Sequence, residues 1–215
     1  MNENKPAALL MTAPGCPHCA GMKQGLQHLL DEGVLSQLEI VDISQQPERA
    51  EQYSVRSVPW CELGRFELAG AHTETELRQW AERATRPEGM LTYLGELLGS
   101  GQLATAERVL RRYPDELPVL LTLMQDSEQS INVHIGVGAL FESLQGEQLL
   151  AGLVEALGKL SRHAEARVRG DACHYLALVG DTRAVPYLEA ALQDENADIR
   201  EIAAEGLELL GKGND

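Results

Sequence analysis

The spacing of apolar residues over the first 86 positions alternates between two periods, which predicts strands alternating with helices. An unbroken apolar run at residues 7–11 predicts a short buried strand, and apolar residues at helical spacing between 20 and 30 predict a helix. Residues 38–43 alternate as a strand does. The pattern continues with a short helix at 47–53, a turn and strand at 63–70, and a closing helix at 73–83 with the capping box Thr73 and Glu76 at its start.

The second part of the chain has a different pattern. Between residues 88 and 211, apolar positions recur every three or four residues and short polar breaks separate them, which predicts helices and no strand. Two blocks repeat at an offset of 31 residues, from Val168 to Ile199. Each keeps an apolar-Arg pair, an Ala, a Leu and a Gly at matching positions, and residues 136–144 resemble a degenerate earlier copy. Because one such unit cannot bury its apolar face alone, neighbouring units are expected to stack.

Two cysteines lie where the first strand meets the first helix. Cys16 and Cys19 are separated by Pro17 and His18, and a CxxC beside a strand-helix-strand pattern is typical of a redox dithiol. Amide groups at the start of a helix lower the pKa of a nearby thiol, which makes Cys16 the candidate nucleophile and Cys19 the candidate resolving thiol. Pro17 and His18 are candidate tuning residues, since a protonated His18 would stabilise the Cys16 thiolate.

The ordered set of strand, CxxC, helix, strand, helix, Val58-Pro59, hairpin and helix over roughly residues 5–86 resembles the thioredoxin and glutaredoxin superfamily. The resemblance implies an α/β thioredoxin-like fold in which a cis-proline, here Pro59, opens the third strand and faces the dithiol. In that family the Val-Pro backbone pairs with the bound peptide or glutathione. Val58, Pro59 and Trp60 are therefore candidate substrate-binding residues, although Trp60 would serve equally well as a cover for the sheet edge.

The repeated helical blocks resemble HEAT-like repeats. Asp198-Ile199-Arg200 and the segment 181–185 carry this resemblance, which implies an all-α C-terminal domain. Arg169 and Arg200 are then expected to bond acids or helix ends of adjacent repeats. The Pro87 and Gly89 region ends the closing helix, so we predict a thioredoxin-like redox domain at 1–86 and a HEAT-like helical repeat domain at 87–215.

The charge is strongly acidic and unevenly distributed. The net charge of −15 divides into −4 for residues 1–86, with 8 basic and 12 acidic residues, and −11 for residues 87–215, with 10 and 21. Such a surface repels phosphate backbones, which argues against nucleic acid and favours a partner with a basic surface. No apolar run approaches the length needed to span a bilayer, and the first residues lack a signal-peptide pattern. We therefore expect a cytoplasmic protein without a membrane partner.

Several residues have a second interpretation. Cys16 and Cys19 could form half of a zinc site, but only Cys61 and Cys173 remain to complete four cysteine ligands. No metal or organic cofactor is therefore expected. Cys61 lies two residues after Pro59, so it either contacts the dithiol or fills the core, and Cys173 fits a packing position in a repeat helix.

The sequence thus predicts a cytoplasmic thiol–disulfide oxidoreductase that acts on protein disulfides through Cys16 and Cys19, with the helical repeats as a protein-binding module. The alternative is a non-enzymatic interaction or scaffold protein whose thioredoxin-like domain serves for docking or redox sensing. A glutathione-dependent enzyme is a third interpretation, in which glutathione would bind against Val58-Pro59.

Overall fold

A computed structural model describes residues 5–212 of the chain. By their contacts the residues form two compact units, an N-terminal unit up to Tyr93 and a helical unit from Leu94 onward. The division falls inside helix α4, Gly89–Gly99, because the first five residues of that helix belong to the N-terminal unit, where the Tyr93 hydroxyl bonds to Glu67. The domain boundary after residue 86 stays a prediction from the sequence.

The N-terminal unit combines a small sheet with helices, and its elements follow the predicted alternation. Strand β1 and helix α1 come first, and the CxxC lies at their junction. The capping box expected at the start of α3 is present: the Thr73 hydroxyl accepts from the Glu76 amide, and the Glu76 carboxylate accepts from the Thr73 amide at 2.7 Å. The elements are β1 (Ala7–Thr12), α1 (Cys19–Asp31), β2 (Gln37–Asp42), α2 (Pro47–Gln52), β3 (Trp60–Leu63), β4 (Phe66–Ala69) and α3 (Glu74–Arg83).

The sheet is mixed and has the strand order β2-β1-β3-β4. Strands β1 and β2 are parallel and are joined through α1, as a parallel pair requires a crossover. Strand β3 runs antiparallel to both β1 and β4. Strand β1 is therefore internal, which explains why its residues 8–11 are all buried and why the sequence there is continuously apolar.

Tyr93 completes the outer edge of this sheet. Opposite residues in an antiparallel pair alternate between hydrogen-bonded and non-hydrogen-bonded pairs. Because the Gly70 amide donates to the Pro59 carbonyl, the pair formed by Glu62 and Glu67 is a non-hydrogen-bonded one, and the amide and carbonyl of Glu67 point away from β3. The Tyr93 hydroxyl accepts from the Glu67 amide at 2.9 Å and donates to the Glu67 carbonyl at 2.8 Å. Its ring packs against Phe66 and Trp80, with ring centroids 4.8 and 5.5 Å away. This side chain takes the place of a further strand.

The regular secondary structure between residues 94 and 212 consists of α-helices and short 3₁₀ segments, separated by turns. The repeat predicted from sequence is visible in the elements, since α8 and α9 recur as α10 and α11 at an offset of 31 residues. The 3₁₀ segments are Pro114–Glu116, Gln148–Leu153 and Thr182–Ala184. The helices after α4 are α5 (Leu103–Arg112), α6 (Pro118–Gln125), α7 (Ile131–Ser143), α8 (Val154–Leu160), α9 (Ala166–Val179), α10 (Val185–Ala191) and α11 (Ala197–Lys212).

The arginines of the repeats bind the turns between helices. Arg169 donates from Nη1 to the carbonyls of residues 163 and 164, and Arg200 makes the same pair of contacts one repeat later, to the carbonyls of 194 and 195. Arg169 also grips the carboxylate of Asp194 with two bonds, at 2.8 and 3.0 Å. Arg169 therefore joins successive repeats, as the sequence led us to expect.

Among the helices of the described range, none combines the length and the apolar character needed to cross a membrane.

Candidate active site

Cys16 and Cys19 are joined by a disulfide, with their Cα atoms 5.5 Å apart. Cys16 is half-buried, whereas Cys19 is only 6% exposed. Both lie in the connection from β1 to α1, where the Cys16 amide donates to the Ala13 carbonyl in a turn. The outer sulfur therefore belongs to Cys16 and the covered one to Cys19, which is the arrangement that a nucleophile and a resolving thiol need.

Helix α1 begins within one residue of the predicted start at residue 20, but Cys16 does not lie at the helix start as the sequence led us to expect. Its first turn starts at Cys19 with His18 as the N-cap, so Cys16 lies in the loop two residues before the cap. Gly15, with φ +79°, and Pro17 keep this loop in successive turns up to His18. The backbone amides without a partner inside the helix therefore belong to residues after His18, and Cys16 precedes those residues in the chain.

Val58 and Pro59 lie at the same end of the sheet as the disulfide. The peptide bond between them is cis, and Pro59 is followed directly by β3. Met11, near the end of β1, is in register with Trp60 at the start of β3. Because the two strands are antiparallel, the loop that follows β1 and the segment that precedes β3 lie at the same end of the sheet. The sequence-predicted dithiol and substrate residues are thereby brought to one end of the unit.

Trp60 belongs to the core beneath that end. Its side chain is 4% exposed and packs with Leu9, Met11 and Val41, and Val58 and Tyr53 pack against the same cluster. The Tyr53 ring meets the Trp60 ring edge-on, with centroids 5.3 Å apart. Trp60 therefore supports the segment that carries Val58 and Pro59 and offers little surface of its own to a bound substrate.

The two remaining cysteines are buried and protonated at neutral pH. Burial, with a smaller contribution from Glu62, raises the pKa of the Cys61 thiol to about 12. Burial, with a smaller contribution from Asp194, likewise raises the pKa of Cys173 to about 11. Because only the thiolate is nucleophilic, neither is suited to disulfide exchange, and both fill core positions. The packing interpretation of Cys61 and Cys173 agrees with this burial.

Pro17 and His18 are exposed beside the disulfide. His18 caps α1 with its backbone, and its side chain makes no capping hydrogen bond to the helix. Throughout residues 5–212, the histidines, cysteines and acids form no group of three or more with the geometry to hold a metal ion.

Two apolar residues of the helical unit are exposed where the sequence predicts no functional site. Ile131 and Ile135 lie on α7 and are 70% and 63% exposed. The sequence of residues 136–144 indicates a degenerate repeat and does not show which side chains are exposed. The sequence pattern that could have revealed them is that apolar residues occupy more of the circumference of α7 than one buried face requires.

The comparisons with known proteins concern the helical unit. A family model described as HEAT repeats matches residues 142–212, about a third of the chain, which includes all of α8 to α11. No curated protein matches the sequence. The HEAT-like part of the prediction is confirmed over this range, and because HEAT repeats are a protein-interaction module, the partner that they imply is a protein.

Proposed function

We propose that this protein is a thiol–disulfide oxidoreductase whose N-terminal unit is thioredoxin-like and whose HEAT-like repeats bind the protein client. The observation that carries the proposal is the Cys16–Cys19 disulfide at the end of β1, at the same sheet edge as the cis bond before Pro59. The strand order, with a parallel β1–β2 pair and an antiparallel β3–β4 hairpin, supports the family resemblance noted in the sequence. The cytoplasmic location stays a prediction.

In the reduced state, the Cys16 thiolate attacks one sulfur of a client disulfide. The client S–S bond breaks, a Cys16–client disulfide forms, and the second client sulfur leaves as a thiolate that takes up a proton. Cys19 then loses its proton and attacks Cys16 Sγ. This step forms the Cys16–Cys19 disulfide and releases the first client sulfur, so the client gains two electrons and the protein loses two. A dithiol or glutathione restores the reduced form, and the same steps in reverse oxidise a client.

The half-buried Cys16 and the covered Cys19 suit these two roles. An incoming disulfide reaches Cys16 first, while Cys19 lies beside it, with the two Cα atoms 5.5 Å apart, and acts only after the mixed disulfide has formed. In the proposal, the Val58 backbone holds the client strand, Pro59 shapes that segment, and Trp60 supports it from the core. Pro17 and His18 tune the Cys16 thiolate.

The test is reduction of insulin disulfides with dithiothreitol as electron donor. We expect turnover by the wild-type protein, none by Cys16→Ser, and accumulation of mixed disulfides on Cys16 in Cys19→Ser. Cys173→Ala removes a buried thiol of the helical unit and serves as the matched control, with unchanged activity. The proposal is wrong if Cys16 alkylates no faster than a free cysteine at neutral pH and the pair never oxidises across a glutathione gradient.

A second candidate function follows from the family match itself. Because HEAT repeats account for residues 142–212, the protein could act as a scaffold whose N-terminal unit docks or senses redox state without turnover. The insulin assay separates the two functions, since a scaffold without turnover would not accelerate the reduction of insulin disulfides.

A further inference from the structure

Helix α7 presents an apolar row to solvent. Ile131 and Ile135 are the two most exposed large apolar side chains among residues 5–212, and they lie one helical turn apart. Ala139, one turn further along, continues the row. A single exposed isoleucine is ordinary, but two that lie one turn apart, of which Ile135 lines a groove, mark an interaction surface.

The groove lies beside this row, within the helical unit. It has a volume of about 490 Å³ and is bordered by the turn between α4 and α5 on one side and by α7 on the other. Gly136 allows the two sides to approach, since a Cβ atom there would lie 3.0 Å from Leu98. The apolar part of the lining comes from Leu98, Leu103, Ile135 and Ala139.

The residues that line the groove are uncharged, and the helical unit that carries it is acidic. Residues 94–215 as a whole contain ten basic and twenty acidic residues. A second copy of the chain, with its net charge of −15, would be repelled from this face. Charge complementarity therefore favours a basic occupant.

We propose that this groove binds an amphipathic helix of a partner protein, with apolar anchors at i, i+4 and i+7 and with lysines or arginines flanking them. A row of side chains spaced by four residues, such as Ile131, Ile135 and Ala139, forms the ridge against which a second helix packs its own row. The flanking basic residues face the acidic surface of the helical unit, since residues 94–215 contain twice as many acidic as basic residues. This inference rests on the proposed protein-binding role of the helical unit and names the partner's recognition element.

The experiment uses the full chain and a fluorescein-labelled helical peptide about 15 residues long, with leucines at i, i+4 and i+7 and lysines at its other exposed positions. Fluorescence anisotropy measures binding to the wild type, to the double variant Ile131→Ser/Ile135→Ser, and to Leu209→Ser. Leu209, on α11, is an exposed apolar residue outside the groove and serves as the matched control. None of the variants changes the net charge.

We expect the double variant to bind the lysine peptide about tenfold more weakly or worse, because two apolar anchoring contacts are lost. Leu209→Ser should bind like the wild type, and a peptide with glutamates in place of the lysines should not bind. Equal binding by the wild type and the double variant would show nonspecific attraction to the acidic surface and would overturn the inference.

Two other outcomes would also overturn it. A wild-type dimer that the double variant breaks would show that a second copy covers the groove. Loss of peptide binding in Leu209→Ser alone would place the protein-binding surface on α11. Neither outcome affects the insulin assay, so failure of the groove and failure of the proposed redox function are separate results.

Discussion

Tyr93→Phe tests the account of how the sheet edge is completed. The substitution removes one hydroxyl group and keeps the aromatic ring, so the packing against Phe66 and Trp80 is preserved and no cavity is opened. What is lost are two hydrogen bonds, one from the Glu67 amide and one to the Glu67 carbonyl. Glu67 is 5% exposed, so water does not readily take the place of the hydroxyl.

The expected cost follows from these two groups. A buried donor or acceptor that loses its partner costs about 1–3 kcal/mol. Two such groups set the scale, and some access of water at a sheet edge lowers it, so we expect the N-terminal unit to lose about 2–4 kcal/mol of unfolding free energy. With a urea dependence of about 2 kcal/mol per molar, the unfolding midpoint should fall by about 1–2 M.

Tryptophan fluorescence measures this change selectively. The chain has two tryptophans, Trp60 and Trp80, and both lie in the N-terminal unit, so a urea titration followed by fluorescence reports on that unit. Tyr187→Phe is the matched control. Its hydroxyl donates to Glu155 at 2.7 Å on the exposed surface of the helical unit, and its loss should leave the fluorescence midpoint unchanged. A midpoint for Tyr93→Phe within the error of the wild type would refute the reasoning.

Two further predictions concern the thiols and the repeat interface. In the reduced native protein, iodoacetamide should modify Cys16 and spare Cys61 and Cys173, because burial raises the pKa of the latter two thiols to about 12 and about 11. Mass spectrometry identifies the modified cysteines. Labelling of Cys61 in the native protein would contradict its burial. Arg169→Met should lower the thermal stability of the helical unit more than Arg200→Met, since Asp194 would lose its bidentate partner in a site where both side chains are 10% exposed. The hydrogen bond and charge of Arg169 lower the pKa of Asp194 in the folded protein. The pair therefore stabilises the fold fully at pH values above the pKa of an unfolded aspartate, about 3.9, and this stabilisation is lost as the pH falls through the lower pKa of the folded state. Circular dichroism melts from neutral pH to about pH 2 should show that acid loss, and Asp194→Asn should reduce it.

The strands and helices of the N-terminal unit could be anticipated because their signals are local. A strand as apolar as 7–12 is buried on both faces, and a capping box such as Thr73 and Glu76 begins a helix with groups only three residues apart. The relation of Cys16 to α1 was harder to predict. Periodicity located the helix to within one residue of Cys19, but the turns at Gly15 and Pro17 leave Cys16 in the loop before the helix, and the exact ends of helices depend on details that periodicity does not contain.

The resemblance implied that Pro59 faces the dithiol, and local spacing alone did not. The common location of Cys16 and Pro59 at one end of the sheet depends on the register of Met11 with Trp60, which only the folded chain shows. The indole of Trp60 could have faced either a groove or the core, because alternation in a strand of four residues does not decide which face is covered.

The sequence by itself determined the order of elements, the dithiol motif, the 31-residue offset of the repeats and the acidic charge of the second half, since each depends on neighbours along the chain. The tertiary structure alone decided that Tyr93 serves the edge at Glu67, that Arg169 grips Asp194, and that Ile131 and Ile135 remain uncovered beside a groove. Hydrogen bonds and burial between residues far apart in sequence depend on the path of the chain, and local spacing does not specify which distant group arrives within bonding distance.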